Sequence, residues 1–366
     1  MKKKLHIVLI WTLISLVLQF GAYTFINYKI QKVLQPQPAG SETISQQPKV
    51  TIPGSGLTNI QVSHDLNYLA YLENGTLKIF SLKKKKIIFE KPPSLFENDK
   101  TMGTLAYQWL PDRCTLIYFY AQKDLKQSGK LQNTELYSLE LPSSDKDFVP
   151  DNRFNQIITN FPAGGKIEEL VISTSTNLMY FTVKYGKIER LMEINVMKKV
   201  RTLNKWEETI DKMAASDHYG TLYIDSRLGS SQSIIAFESG MRKLISRNPY
   251  DKVLGIRTGK VYIGEVKNDE LVKLKTIVDR SRLTDNPSLK TEWTGSIPFK
   301  DVHSLIGAKG QMIAYDNKTA YIVTAGQLKR VPMHGEENYI SDDGAELIQL
   351  SSDGTSTFLD LQSLTP

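Results

Sequence analysis

The run Tyr68-Leu69-Ala70-Tyr71-Leu72, the triplet Glu73-Asn74-Gly75 and the run Thr76-Leu77-Lys78-Ile79-Phe80-Ser81-Leu82 constrain the fold more than any other stretch. Asn-Gly between two β-rich runs demands a turn with positive φ at both central residues, so this stretch predicts a hairpin. Looser copies follow it to the C-terminus. Taking Leu69, Leu116, Leu178, Leu222, Val261, Met312 and Leu347 as equivalent anchors, the spacing is roughly 35 to 60 residues, the period of one four-stranded propeller blade. The fold class read from this pattern is all-β, a β-propeller of seven blades, with six or eight as alternatives. The fifth copy is the weakest.

Each anchor tends to follow a polar turn, Ser63-His64-Asp65 and Pro111-Asp112 being the clearest. Such side chains cap loop backbone, and the alternating apolar groups that follow pack between blades. A lone blade cannot bury both faces, so the ring should close. Residues 57–62 and 357–361 both have strand character and are expected to lie in the same or adjacent blades and clasp it. The only helical signal in the domain covers residues 205–213.

The net charge of +7 suggests nucleic acid until it is located. Lys2, Lys3, Lys4, Lys29 and Lys32 precede the first acid, Glu42, so five of the 46 basic residues lie there and 41 remain against 39 acidic ones. A nucleic-acid-binding domain shows a basic face, and this remainder is nearly balanced. No nucleic-acid partner is expected. The five lysines instead flank an apolar run. After a basic cap at residues 1–4, residues 5–28 are long and apolar enough for one transmembrane helix, with Trp11, Tyr23 and Tyr28 among residues suited to the interfaces. No small-x-small cleavage site follows the run, which reads as an uncleaved anchor. The lysine bias puts the N-terminus in the cytoplasm and the propeller outside it. Residues 29–56, with Pro36, Pro38, Pro48 and Pro53 among Gln, Ser and Thr, read as a tether. Residues 57–366 are the propeller. The chain is thus expected to be a single-pass protein of the cell membrane.

Ser63-x-Asp65-x-x-Tyr68-Leu69-Ala70-Tyr71 followed by Gly75-Thr76-Leu77-Lys78-Ile79 resembles the WD-like repeats of TolB and of the N-terminal propellers of prolyl oligopeptidase-type enzymes. The resemblance extends from about Gly56 to the C-terminus and implies a propeller, without implying one function. His64 stands where proline is usual in the turn, and no separate domain accompanies the repeats.

Chemistry is sparsely signalled. An α/β-hydrolase needs a Gly-x-Ser-x-Gly elbow and some two hundred further residues, and neither is in the sequence. No His-Glu-x-x-His occurs, Cys114 is the only cysteine, and no metal or cofactor is expected. Asp342-Asp343-Gly344 and Asp353-Gly354 lack the alternating ligands of a calcium loop and read as turns. Lys83-Lys84-Lys85-Lys86 sits where a hairpin turn belongs and offers charge to anionic lipid or polymer. His64 and His218 occupy similar turns and would meet if they converged at the ring's mouth. Trp109, Trp206 and Trp293 would suit a carbohydrate or peptide platform, with Trp109 in a core-like strand and Trp293 the candidate for exposure. His64, His218 and Trp293 therefore form the expected binding rim. The functional expectation is a membrane-anchored, extracytoplasmic scaffold that binds an envelope protein or polymer. The alternative is a propeller lyase or hydrolase with its site in the central funnel.

Overall fold

The computed structural model describes Gln19 and residues 50–364, apart from 94–102, 123–132, 143–148, 159–160, 163, 196 and 281. The expected basic cap, membrane span and most of the tether lie outside the described residues. No helix among the described residues is long and apolar enough to cross a membrane. The chain divides into two units, Met1–Gln46 and Gln47–Pro366, and the sheets all belong to the second.

The first hairpin forms as the sequence requires: Tyr68–Glu73 pairs with Thr76–Ser81 through Asn74 and Gly75, at φ 49° and 77°. Strand alternation then sorts its side chains. Leu69, Tyr71 and Phe80 enter one apolar cluster, while Tyr68, Ala70, Leu77 and Ile79 enter the cluster on the opposite face. One hairpin thus serves two cores.

Among the described residues this unit is built seven times, as seven four-stranded antiparallel sheets. Blades 1 to 6 cover residues 58–91, 103–158, 166–202, 208–246, 251–298 and 303–332, each with its strands in sequence order. Blade 7 takes three strands from residues 337–363 and its fourth from Val50–Pro53, which pairs with Ser356–Ser363 in the register Val50↔Leu359 to Pro53↔Ser356. All seven anchors fall at or next to the start of a blade's second strand. The fifth unit, weak in sequence, is a full blade. Its first turn is Thr258-Gly259 and its second Asn268-Asp269, so it lacks the Ser-x-Asp spelling but keeps the left-handed residues a tight turn needs.

Seven apolar clusters fill the joints, each drawn mainly from two adjacent blades. The joint between blades 7 and 1 holds Ile52, Ile60, Leu69, Tyr71, Phe80, Ile348 and Leu359. The ring is therefore closed by the same packing that joins its other blades. The expected clasp exists, but the strand that makes it lies at Val50–Pro53, inside the stretch assigned to the tether. Residues 57–62 supply the first strand of blade 1, Thr58–Val62, in the blade adjacent to the one that holds residues 357–361, as expected.

The helical signal at residues 205–213 is a strand, Glu208–Ala215. A β-bulge between Ile210 and Lys212 inserts one residue into it. Buried positions then fall at Glu208, Ile210, Met213 and Ala214 rather than strictly in alternation, and the spacing imitates a helix face.

Candidate functional site

From blade 1 to blade 6 the first strands of successive blades contact one another and so line the axis of the ring. In blades 1 to 5 each of these strands shifts register once, at Thr58/Gln61, Thr104/Ala106, Ile167/Leu170, Ile210/Lys212 and Val253/Gly255. The corresponding strands of blades 6 and 7, His303–Ile306 and Glu337–Ile340, pair without a shift. A bulge leaves backbone donors outside the ladder, and buried donors need acceptors. In blades 4 and 5 carboxylates of the preceding blade supply them. Glu169 accepts from the Met213 amide at 2.8 Å, Glu189 from the Ile210 amide at 3.0 Å, and Asp225 from the Val253 amide at 2.8 Å. These acids staple blade 3 to blade 4 and blade 4 to blade 5.

Two hollows lie along the axis. One, of about 450 Å³, is walled by Asn59, Gln61, Tyr107, Gln108, Glu168 and Glu169, and the other, of about 570 Å³, by Asp211, Lys212, Asp225, Lys252, His303 and Tyr315 among others. A smaller one of about 120 Å³ opens at the end carrying the first-to-second-strand loops, beside His64, Trp109, Pro111, Arg257, Ala308 and Asp343. Asp342 borders all three. Water reaches Asp342, yet it is hemmed in by the funnel, and this desolvation pushes its carboxyl group up against the lowering effect of Arg257. Arg257 itself donates from Nε to the Ile306 carbonyl and from Nη2 to that of Asp342, both at 3.3 Å, tying blade 5 to blades 6 and 7.

The wall of the larger hollow is acidic but mostly paired. Asp211 meets Arg227 at 2.7 Å and Lys252 at 3.1 Å, and Lys212 reaches Glu169, on the wall of the other hollow, at 3.7 Å. Burial raises the Glu169 and Glu189 carboxyl groups despite their partners. Asp225 is the extreme case: burial pushes it up to about 8, against the Val253 amide and Lys252. Its residue is 1% exposed, and its Oδ2 has no hydrogen-bond partner.

The expected rim is only partly assembled. His64 is exposed at the loop end, in a turn where Asp65 accepts from Ser63 and the Asn67 amide, and Ser63 accepts from the Tyr68 amide. Blade 7 repeats this bonding with Ser341 and Asp343, so Asp342-Asp343-Gly344 is a capped turn. The position held by Gly344 at φ 71° is held in blade 1 by Leu66 at φ 57°. His218 is also exposed, in the equivalent loop of blade 4, three blades from His64. The two histidines share an end of the ring and do not meet around one hollow. Trp293 is not on the rim at all: it is 7% exposed, in the joint between blades 5 and 6 with Leu254, Leu274 and Ile306. It lies on an outer strand, Lys290–Pro298, and faces inward because that strand's alternation packs it toward the next blade. Trp109 is core, as its strand suggested, and Trp206 is the exposed indole, at 73%.

Sequence reasoning passed over Asp225, Glu169 and Glu189. A signal existed for Asp225, an acid between Leu222-Tyr223-Ile224 and the rest of a buried strand. Lys83 to Lys85 lie in the expected exposed turn after Thr76–Ser81, and Lys86, also exposed, opens the next strand, Lys86–Lys91.

No protein-family model and no curated protein matches the chain. Among solved structures it is similar to the β-propeller domain of Cps50 (Swd1) from Myceliophteria thermophila, at 12% identity and a TM-score of 0.53, over 87% of this chain and all of that one. It also aligns with TolB from Acinetobacter baumannii, at 8% identity and a TM-score of 0.42, over 82% of this chain and 78% of that one. A prolyl endopeptidase aligns at 15% identity and a TM-score of 0.49, over 80% of this chain and 45% of that one. At such identities the likeness to the Cps50 domain speaks for the propeller fold alone.

Proposed function

We propose that this chain is a membrane-anchored, extracytoplasmic binding scaffold that engages an envelope protein or polymer through the loop end of its ring. One observation carries the binding part: loops or strand ends from blades 1, 2, 5, 6 and 7 meet around the hollow at Asp342, bringing His64, Pro111, Arg257 and Ala308 to one surface. A rigid ring that presents loops from five blades at one end is built for recognition. The address rests on the apolar run at residues 5–28 and the lysines around it.

Both parts can be read from one position. Cys114 is buried, so His64→Cys creates a single exposed thiol at the loop end. A membrane-impermeant maleimide should label this variant in intact spheroplasts, and a thiol-linked photocrosslinker there should trap a partner. The same crosslinker on the outer strand of blade 2, at Asn152→Cys, should trap none. Labelling only after lysis overturns the orientation, and equal or absent crosslinking overturns the loop-end reading.

The funnel-enzyme reading has one observation in its favour, the Asp225 carboxyl displaced to about 8 beside an axial hollow, within the range where a carboxylic acid exchanges protons near neutrality. Its bond to the Val253 amide gives the same residue a structural reason to be there.

A further inference from the structure

We propose that a cavity at the opposite end of the ring, between the outer part of blade 3 and the start of blade 4, binds a neutral oligosaccharide with Trp206 as its stacking face. This site goes beyond the loop-end reading and is spatially separate from it. The cavity holds about 550 Å³, within the range of small-ligand sites. Residues 187–190 wall one side, and Thr202 with residues 204–209 the other.

Its wall is built rather than incidental. The Asn204 side chain accepts from the Leu191 amide at 2.9 Å and donates to the carbonyls of Glu189 and Glu208 at 2.9 and 3.0 Å. Four residues on, the fully buried Glu208 carboxylate accepts from the Lys205 amide at 2.8 Å, from Ser226, and from both terminal nitrogens of Arg242 at 2.9 and 2.5 Å. Burial pushes this carboxyl group up, but those partners outweigh it and hold it below the usual range. Between the two pins Glu207 takes φ 61°, and Trp206 is left 73% exposed at the cavity. A buried carboxylate is costly unless fully bonded. Here it fixes a turn whose one large side chain is presented to solvent. A rigid, amphipathic ring loses little entropy on binding, which is what a stacking platform requires.

The ligand class follows from the rest of the wall. Lys187, Arg190 and Lys205 are set against Glu189 and Glu207, while the buried Glu208 is already paired with Arg242, so the lining carries both signs of charge with no large excess of either. Thr202, Thr209 and the charged edges of Glu189 and Arg190 offer both donors and acceptors around one aromatic face. A pyranose matches that combination: its C–H face packs on an indole while its ring of hydroxyls meets donors and acceptors.

The full chain, in a detergent without a sugar headgroup, can be titrated with cellotetraose, maltotetraose and the β-1,4-linked tetramer of N-acetylglucosamine. Calorimetry would give affinity, and tryptophan emission would report the indole. At least one probe should bind and shift the emission. Trp206→Ala should weaken binding by about tenfold, the equivalent of one stacking contact, and Trp206→Phe should fall between it and the parent. Asn152→Cys, on the outer strand of blade 2 and away from both sites, should bind sugar as the parent does. No binding by any of the three probes, or equal affinity in the parent and Trp206→Ala, would overturn the proposal.

Discussion

The sharpest test of the architecture is the strand that closes the ring. Val50–Pro53 contributes one fully buried side chain, Ile52, which sits in the blade 7–blade 1 joint with Ile60, Tyr71, Ile348 and Leu359. Its neighbour Thr51 points to solvent. Alternation therefore predicts opposite outcomes for adjacent substitutions. Ile52→Ala should destabilise by ~2–5 kcal/mol, the transfer cost of the lost groups plus the cavity left behind. Thr51→Ala should stay within about 0.5 kcal/mol. Removing the strand is worse than emptying its core position. A chain that begins at Ser55 loses Ile52, the ladder to Ser356–Ser363, the bond from the Gly54 amide to the Thr355 carbonyl and that from the Thr357 hydroxyl to the Gly54 carbonyl. It also exposes the edge of Ser356–Ser363, eight residues long, to pairing with other chains. A chain that begins at Gln47 keeps all of this. Thermal unfolding and light scattering of the two shortened chains, beside Ile52→Ala and Thr51→Ala in the full chain, decide the matter. The Ser55 form should melt lower by on the order of 10 °C, as a loss of several kcal/mol implies for a domain this size, and should aggregate. Equal midpoints for the Gln47 and Ser55 forms would refute closure by this strand.

Three further outcomes follow from the charged interior. Asp225, raised in the folded protein to about 8, binds a proton there that the unfolded chain has already lost. Its contribution should therefore make stability fall as pH rises from about 4 to about 8, by up to ~5 kcal/mol. Asp225→Asn should flatten that slope in urea midpoints taken at pH 5 and 9, and parallel profiles would contradict the displaced titration. Glu265 behaves oppositely: Lys267 and Lys275 hold it down to about 2, so its stabilisation is present above the ordinary glutamate range and lost as pH falls toward 2. Glu265→Gln should shrink the acid-induced loss between pH 5 and 2, and an unchanged acid limb would rule this out. Arg242→Met strands the buried Glu208 carboxylate and should cost ~3–5 kcal/mol, with a change in Trp206 emission as its turn loosens. Loss of stability with emission unaltered would show that Glu208 does not hold that turn.

Much of the fold was legible because a propeller is repetitive and its punctuation is local. Asn74-Gly75 permits one kind of turn, and Ser63 with Asp65 caps one kind of loop, so these could be read without knowing their surroundings. The anchors worked for a related reason: the second strand of a blade packs against both neighbours and must be apolar on both faces. Leu69, Leu116, Leu222, Val261, Met312 and Leu347 are all fully buried. The closing strand was not legible. It is four residues long, ends in Pro53 and follows a proline-rich stretch, so nothing local sets it apart from tether. Pro53 is tolerated because it ends an outer strand with no further partner in the sheet.

The axial site was illegible for a reason the bulges make plain. A side chain's role on the axis depends on which backbone donor of the next blade has lost its ladder partner, a relation between residues about 21 to 44 positions apart in sequence. The bulge that creates the need also breaks the alternation by which a strand is recognised, as it did at Glu208–Ala215. Sequence periodicity therefore fails at the positions where blades exchange carboxylates. The two features coincide for a physical reason: an unpaired buried amide is tolerated only when an acceptor reaches it, and an acid facing inward from the preceding blade is the acceptor at hand. An acidic residue inside an apolar run, one blade before a strand with broken alternation, is thus a joint signal that neither feature carries alone. Asp225 ahead of Val253 satisfies it. Trp206 gives no such signal, because its exposure is set by pins at Asn204 and Glu208 whose partners lie on other strands.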